Sequence, residues 1–168
     1  MKLKRILLLV GLLLLAACSN NEVKYDGAPL NIAVIGDIPE YHNEKIHFEP
    51  ISLDEFSEET GQISTNFDAV MITPVIFEEA SDDRFVEVYD RSAIPIIFFD
   101  SEKRHLPFTN GGVTYETAHW DSLNNDSHTT IYLSDIGDNR EGVWYFYLQD
   151  EKELDNLYQE IFQTVETL

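Results

Sequence analysis

The chain has 168 residues, 31 acidic against 11 basic side chains, a formal net charge of −20, and one cysteine. That balance excludes a nucleic-acid partner, which needs a basic footprint, and electrostatic docking on anionic lipid. A lone cysteine excludes an intramolecular disulfide, so packing alone must hold the fold.

The N-terminus begins with a basic head, Met1-Lys2-Leu3-Lys4-Arg5, followed by an apolar run from Ile6 to Leu15. Ten residues make about 15 Å of helix, too short for about 30 Å of hydrocarbon. Small Ala16 and Ala17 precede Cys18. Basic head, short apolar centre and small residues at the cut are the layout of a secretory signal peptide. Leu15-Ala16-Ala17-Cys18 resembles the lipobox of bacterial lipoprotein precursors. The resemblance implies a diacylglyceryl group on the Cys18 thiol and cleavage just before it. Residues 1–17 would then be the signal peptide. The mature chain would be a lipid-anchored lipoprotein on the extracytoplasmic face of the cell membrane, held to the bilayer through acylated Cys18. Loss of Lys2, Lys4 and Arg5 would take its charge to −23, so attachment must rest on the acyl chains. Residues 18–29 read as lipidated cysteine and tether: polar, aperiodic, and ending at Gly27 and Pro29. Such a segment extends at most about 35–40 Å.

Residues 30–168 suit a single domain with a real core. Leu30 to Ile35 is a continuous apolar run stopped by Gly36-Asp37, as in a strand buried on both faces. Ile46 to Ile51 alternates more weakly, and Pro50 marks an edge strand. Ser52 and Glu55 have capping-box spacing, which predicts a short helix ending near Gly61. Phe67 to Ile72 is a second buried strand, closed by Thr73-Pro74, with a helical turn over Val75 to Ala80. Phe85 to Tyr89 fits helix or strand. Ile94 to Phe99 is a third buried strand, closed by Asp100. Residues 101–127 are polar and irregular, with hairpin chemistry at Asn110-Gly111. Thr130 to Leu133 and Val143 to Leu148 read as an antiparallel strand pair. Asp150 reads as an N-cap, and Leu154, Leu157, Tyr158, Ile161, Phe162 and Val165 recur on one helical face.

Buried strands separated by helical segments predict an α/β fold: a small three-layer sandwich with a mainly parallel sheet, an antiparallel pair near the C-terminus and a C-terminal helix. The order resembles the flavodoxin-like or receiver-like class. Receiver domains carry a phospho-accepting aspartate and a lysine after later strands. Here Thr73 stands where the acceptor should be and no lysine follows Leu133, so phosphoryl acceptance is not expected.

Aspartates follow three apolar runs, Asp37, Asp100 and Asp135, and Thr73 follows a fourth. In open α/β sheets the carboxyl ends of parallel strands line a ligand crevice. Asp37, Thr73, Asp100 and Asp135 are therefore the candidate ligand-binding residues, with Asp37 and Asp100 the candidates for a hard cation such as Mg²⁺ or Ca²⁺. The competing reading is that they cap helices and turns, which aspartate also favours. No nucleotide-binding glycine pattern, nucleophile elbow or zinc spacing occurs. The acidic loop Asp135 to Glu141 lacks EF-hand spacing. Ser101 and His105 near Asp100 suggest a nucleophile only by proximity in sequence, and His119-Trp120-Asp121 suits a packed turn. Trp144 to Tyr147 could offer an aromatic platform or lie under the C-terminal helix. No catalytic residue and no cofactor is assigned. The leading reading is a non-catalytic binding or accessory module for a protein or small-molecule partner. The alternatives are a metal-assisted hydrolase using the strand-end carboxylates and a structural envelope protein.

Overall fold

The computed structural model describes residues 24–119, 125–135 and 140–168. The strands are β1 (Leu30–Ile35), β2 (Ile46–Pro50), β3 (Ala69–Ile72), β4 (Ile96–Phe98), β5 (Thr129–Asp135) and β6 (Arg140–Phe146). They form one sheet in the order β2-β1-β3-β4-β5-β6. Strands β1 to β4 are parallel; β5 runs antiparallel to β4, and β6 to β5. The predicted α/β sandwich, its antiparallel pair and its C-terminal helix are all present. β1, β3 and β4 are buried at nearly every position, as their unbroken apolar runs require.

One face is covered by α1 (Leu53–Glu58), α2 (Thr60–Asn66), α3 (Phe77–Ala80), α4 (Val86–Arg91) and α5 (Leu106–Thr109). Phe56, Phe85, Tyr89 and Phe108 there pack on Val70, Ile72, Ile96 and Phe98. Each buried side chain of that size stabilises the fold by about 2–3 kcal/mol. The other face carries α6 (Leu154–Thr167), whose Leu157, Tyr158, Ile161, Phe162 and Val165 pack on Val34, Met71, Ile97 and Ile131. No helix among the described residues is long and apolar enough to cross a membrane.

The capping box forms: Ser52 accepts the Glu55 amide, and the Glu55 carboxylate accepts the Ser52 amide. The helix it starts ends at Glu58, and Gly61 lies inside α2 rather than at a stop. Phe85 to Tyr89 is helical, entered through a 3₁₀ turn at Asp83–Phe85 that Asp82 caps. Asp150 caps the turn leading into α6. Asn110-Gly111 makes a turn after α5 but joins no strands; the chain there lies against Asp83, whose carboxylate accepts the Gly112 amide. Trp144 and Phe146 pack on the α6 face and Tyr145 faces His105 on the other, but Trp144 and Tyr145 are only half-buried and Tyr147 is exposed.

The packed domain begins before residue 30. Tyr25 is 2% exposed and its ring meets Phe162 edge-on. Its hydroxyl donates to Ala28 O and reaches Glu166 Oε2, while Glu166 Oε1 accepts the Ala28 amide at 2.9 Å. Lys45 Nζ donates to the carbonyls of Asp26 and Gly27, and Asn43 Nδ2 to that of Tyr25. Residues 25–29 are thus strapped to the domain rather than free. Hydrophobic Tyr25 inside an otherwise polar segment is the signal that the composition of residues 18–29 conceals.

Candidate functional site

The carboxyl ends of β1, β3 and β4 lie along one edge of the sheet. β1 feeds β2 on one side and is flanked by β3 on the other, so the chain reverses its direction of travel between β1 and β3. Ligands in such sheets bind at that switch point. Gly36 there has φ +103°, the left-handed region that glycine tolerates. A Cβ on Gly36 would come within 2.3 Å of Thr73 Oγ1. Thr73 is 4% exposed; its hydroxyl accepts the Asp37 amide at 2.8 Å and faces Ile35 O at 3.4 Å. The hydroxyl is therefore consumed in holding the two loops together. It makes no helix-capping bond.

Asp37 and Asp100 are both exposed. β3 separates their strands, which sets the two backbone positions about 10 Å apart. Neither caps a helix: no helix follows Asp37, and Asp100 sits at φ +56° in the turn after β4. Among the described residues no group of three or more histidine, cysteine, aspartate or glutamate side chains could hold a metal ion. Asp135 does not join them. Because β5 is antiparallel, its last residue lies at the opposite edge, beyond the start of β4.

The same reversal brings the start of β5 to the carboxyl edge. His128 Nε2 stands 3.4 Å from Asp100 Oδ1, and His128 Nδ1 is 2.9 Å from Thr129 Oγ1. The Thr129 hydroxyl in turn faces the Asp100 amide at 3.4 Å. His128 packs edge-on against Phe99, which stacks on Tyr158 of α6. Burial pushes the imidazole pKa down more than the Asp100 carboxylate pulls it up, so His128 is neutral at pH 7. The chain of groups Asp100–His128–Thr129 has the members of a hydrolytic triad, but Thr129 has no exposed surface and cannot reach a substrate. Its role is to fasten β4, β5 and α6 together.

Ser101 is likewise fully buried and donates to Arg104 O at 2.8 Å. His105 stacks on Tyr132 at 5.5 Å. The two form no nucleophile–base pair. Burial, with Arg104 adding a smaller effect, lowers the His105 pKa to about 4, and its Nδ1 is buried without a hydrogen-bond partner. Trp120 and Asp121, and the loop of residues 136–139, lie outside the described residues; His119 is exposed. Sequence reasoning missed His128 and Thr129 because grouping Asp135 with Asp37 and Asp100 took β5 as parallel to β4, although it read β5 and β6 as an antiparallel pair. A run of irregular residues before Thr130, long enough to turn back without a helix, was the available signal. No family model, curated protein or solved structure matches the chain.

Proposed function

We propose that the mature chain is a lipoprotein anchored by acylated Cys18 on the extracytoplasmic face of the membrane, where its domain acts as a non-catalytic binding or accessory module. The observation that carries this reading is the engagement of the Thr73, Ser101 and Thr129 hydroxyls at the carboxyl edge. Each is buried and bonded to the backbone or to His128, so none of the three is free to attack a substrate, while the Asp37 and Asp100 carboxylates are exposed. The strap at Tyr25 adds an orientation. It lies beside the start of β1 and the end of α6, at the amino edge of the parallel strands. Six residues lie between Cys18 and Tyr25, and the seven steps reach at most about 25 Å. The amino edge would then face the bilayer and the carboxyl edge would face away from it.

Cys18→Ser tests the anchor, because only a thiol takes the thioether-linked lipid. The variant should appear as an unlipidated precursor that incorporates no radiolabelled fatty acid. Label retained on the serine variant would remove the anchor, and with it the orientation.

A further inference from the structure

The ten residues joining β1 to β2, 36–45, contain no helix. Parallel neighbours are ordinarily joined by a dozen or more residues carrying one, and that helix covers the outer strand of the sheet. Here Tyr41 stands in for it, with its ring 4.6 Å from Tyr158 and 5.5 Å from Phe162. Beside Tyr41 an open groove follows β2 on the α6 side, lined by Ile38, Pro39, His42, Glu44, Ile46 and Phe48. Ile38 is 47% exposed, and Phe48 is half-buried against Phe162 at 6.2 Å. β2 is an edge strand, so nothing in the sheet lies beyond it. Exposed Glu44 lines the groove, and exposed Asp37 and Glu40 adjoin its lining residues Ile38 and Pro39 in the chain.

We propose that this groove takes an amphipathic, lysine- or arginine-rich helix from a partner protein. This rests on reading the domain as a binding module. The apolar stripe of the helix would lie where the missing crossover helix would have packed, against Ile38, Ile46 and Phe48. Its cationic flanks would meet Asp37, Glu40 and Glu44. Five residues of β2 span about 16 Å, which about eleven residues of helix match. Charge selects among occupants: a net −20 and an acidic border repel a second copy of this chain and an anionic bilayer alike, and favour a cationic segment.

The test uses the chain from Cys18 onward with Cys18→Ser, which keeps every described residue. The probe is an amphipathic leucine–lysine peptide about four turns long. Its scrambled isomer, of equal charge but with no apolar stripe, is the control. Amide chemical shifts should move chiefly over residues 38–48 and near Tyr158 and Phe162. The scrambled isomer should bind at least about tenfold more weakly. Part of the binding should survive about 1 M salt, where screening reaches about 3 Å. Ile38→Lys and His42→Lys, both at exposed positions, should weaken binding about tenfold without lowering the melting temperature, since each sets a cation against the cationic peptide. Equal binding by the scrambled isomer, shifts spread over all the acidic faces, unaffected variants, or a dimer of the chain alone would overturn the proposal. Failure of the lipid assay would leave this titration unchanged, and failure here would leave Cys18 labelled.

Discussion

Thr73 and Gly36 are matched parts of one joint. The Thr73 hydroxyl stands 2.3 Å from where a Gly36 Cβ would lie and accepts the neighbouring Asp37 amide at 2.8 Å. At the switch point the chain's own side chain thus ties the loop after β1 to the end of β3. Gly36→Ala should destabilise by about 2–4 kcal/mol, combining a left-handed alanine with a steric clash. Thr73→Ala should cost about 1–2 kcal/mol, because the Asp37 amide loses its acceptor. In the double variant the contact with the Thr73 hydroxyl is gone, leaving only the tight approach to Val75, so urea denaturation should give a loss smaller than the sum by about 1 kcal/mol or more. Strict additivity would show that the two residues do not share the joint.

The strap makes a second expectation. Glu166 receives both the Tyr25 hydroxyl and the Ala28 amide, and burial together with Glu166 pushes the Tyr25 phenol pKa up to about 12. Glu166→Ala should cost about 1 kcal/mol, and hydrogen exchange at the Ala28 amide should quicken while the amides of β3 and β4 keep their protection. Unchanged exchange at Ala28 would mean that Tyr25 burial alone holds the segment.

Local signals in the sequence specified most of the architecture. The capping box at Ser52, the buried runs of β1, β3 and β4, and the apolar face of α6 each depend on residues close together, and each formed as read. Direction was the failure. Apolar runs look the same whichever way they point, so the Asp135 position was grouped with Asp37 and Asp100 although β5 carries it to the far edge. The partner of Asp100, His128, is distant in sequence and carries no motif. The strap was hidden for a different reason: a single buried Tyr25 in a polar stretch has no periodicity to mark it.

Exposed Asp37 and Asp100 set a third expectation. Their strands flank β3, and no third carboxylate or histidine group completes a site among the described residues. Millimolar Ca²⁺ or Mg²⁺ should raise the melting temperature only by screening the net charge of −20. The rise should be the same in Asp37→Asn/Asp100→Asn. A dedicated site would add about 2.7 kcal/mol at a hundredfold excess over Kd, and that increment would vanish in the double variant. Its disappearance would establish the metal site.

His105 should make the protein acid-sensitive. The ring is 5% exposed, is stacked on Tyr132, and has a pKa of about 4 against 6.5 for an unperturbed histidine. The unfolded chain therefore takes up a proton near pH 6.5 that the folded chain refuses until about pH 4. The stability that neutral His105 permits is fully present above pH 6.5 and is lost as pH falls toward 4. At pH 5 the loss is about 2 kcal/mol by linkage. His128, also lowered by burial, acts in the same direction. His105→Phe keeps a flat ring on Tyr132 and removes the titrating nitrogen together with the unpartnered Nδ1. Its stability at pH 7 should be equal or higher. Between pH 7 and 5, where most carboxylates stay ionised, the variant should lose about 2 kcal/mol less than the native chain in urea denaturation. Parallel pH profiles for the two proteins would show that His105 is reached by water in the folded state and takes its proton there.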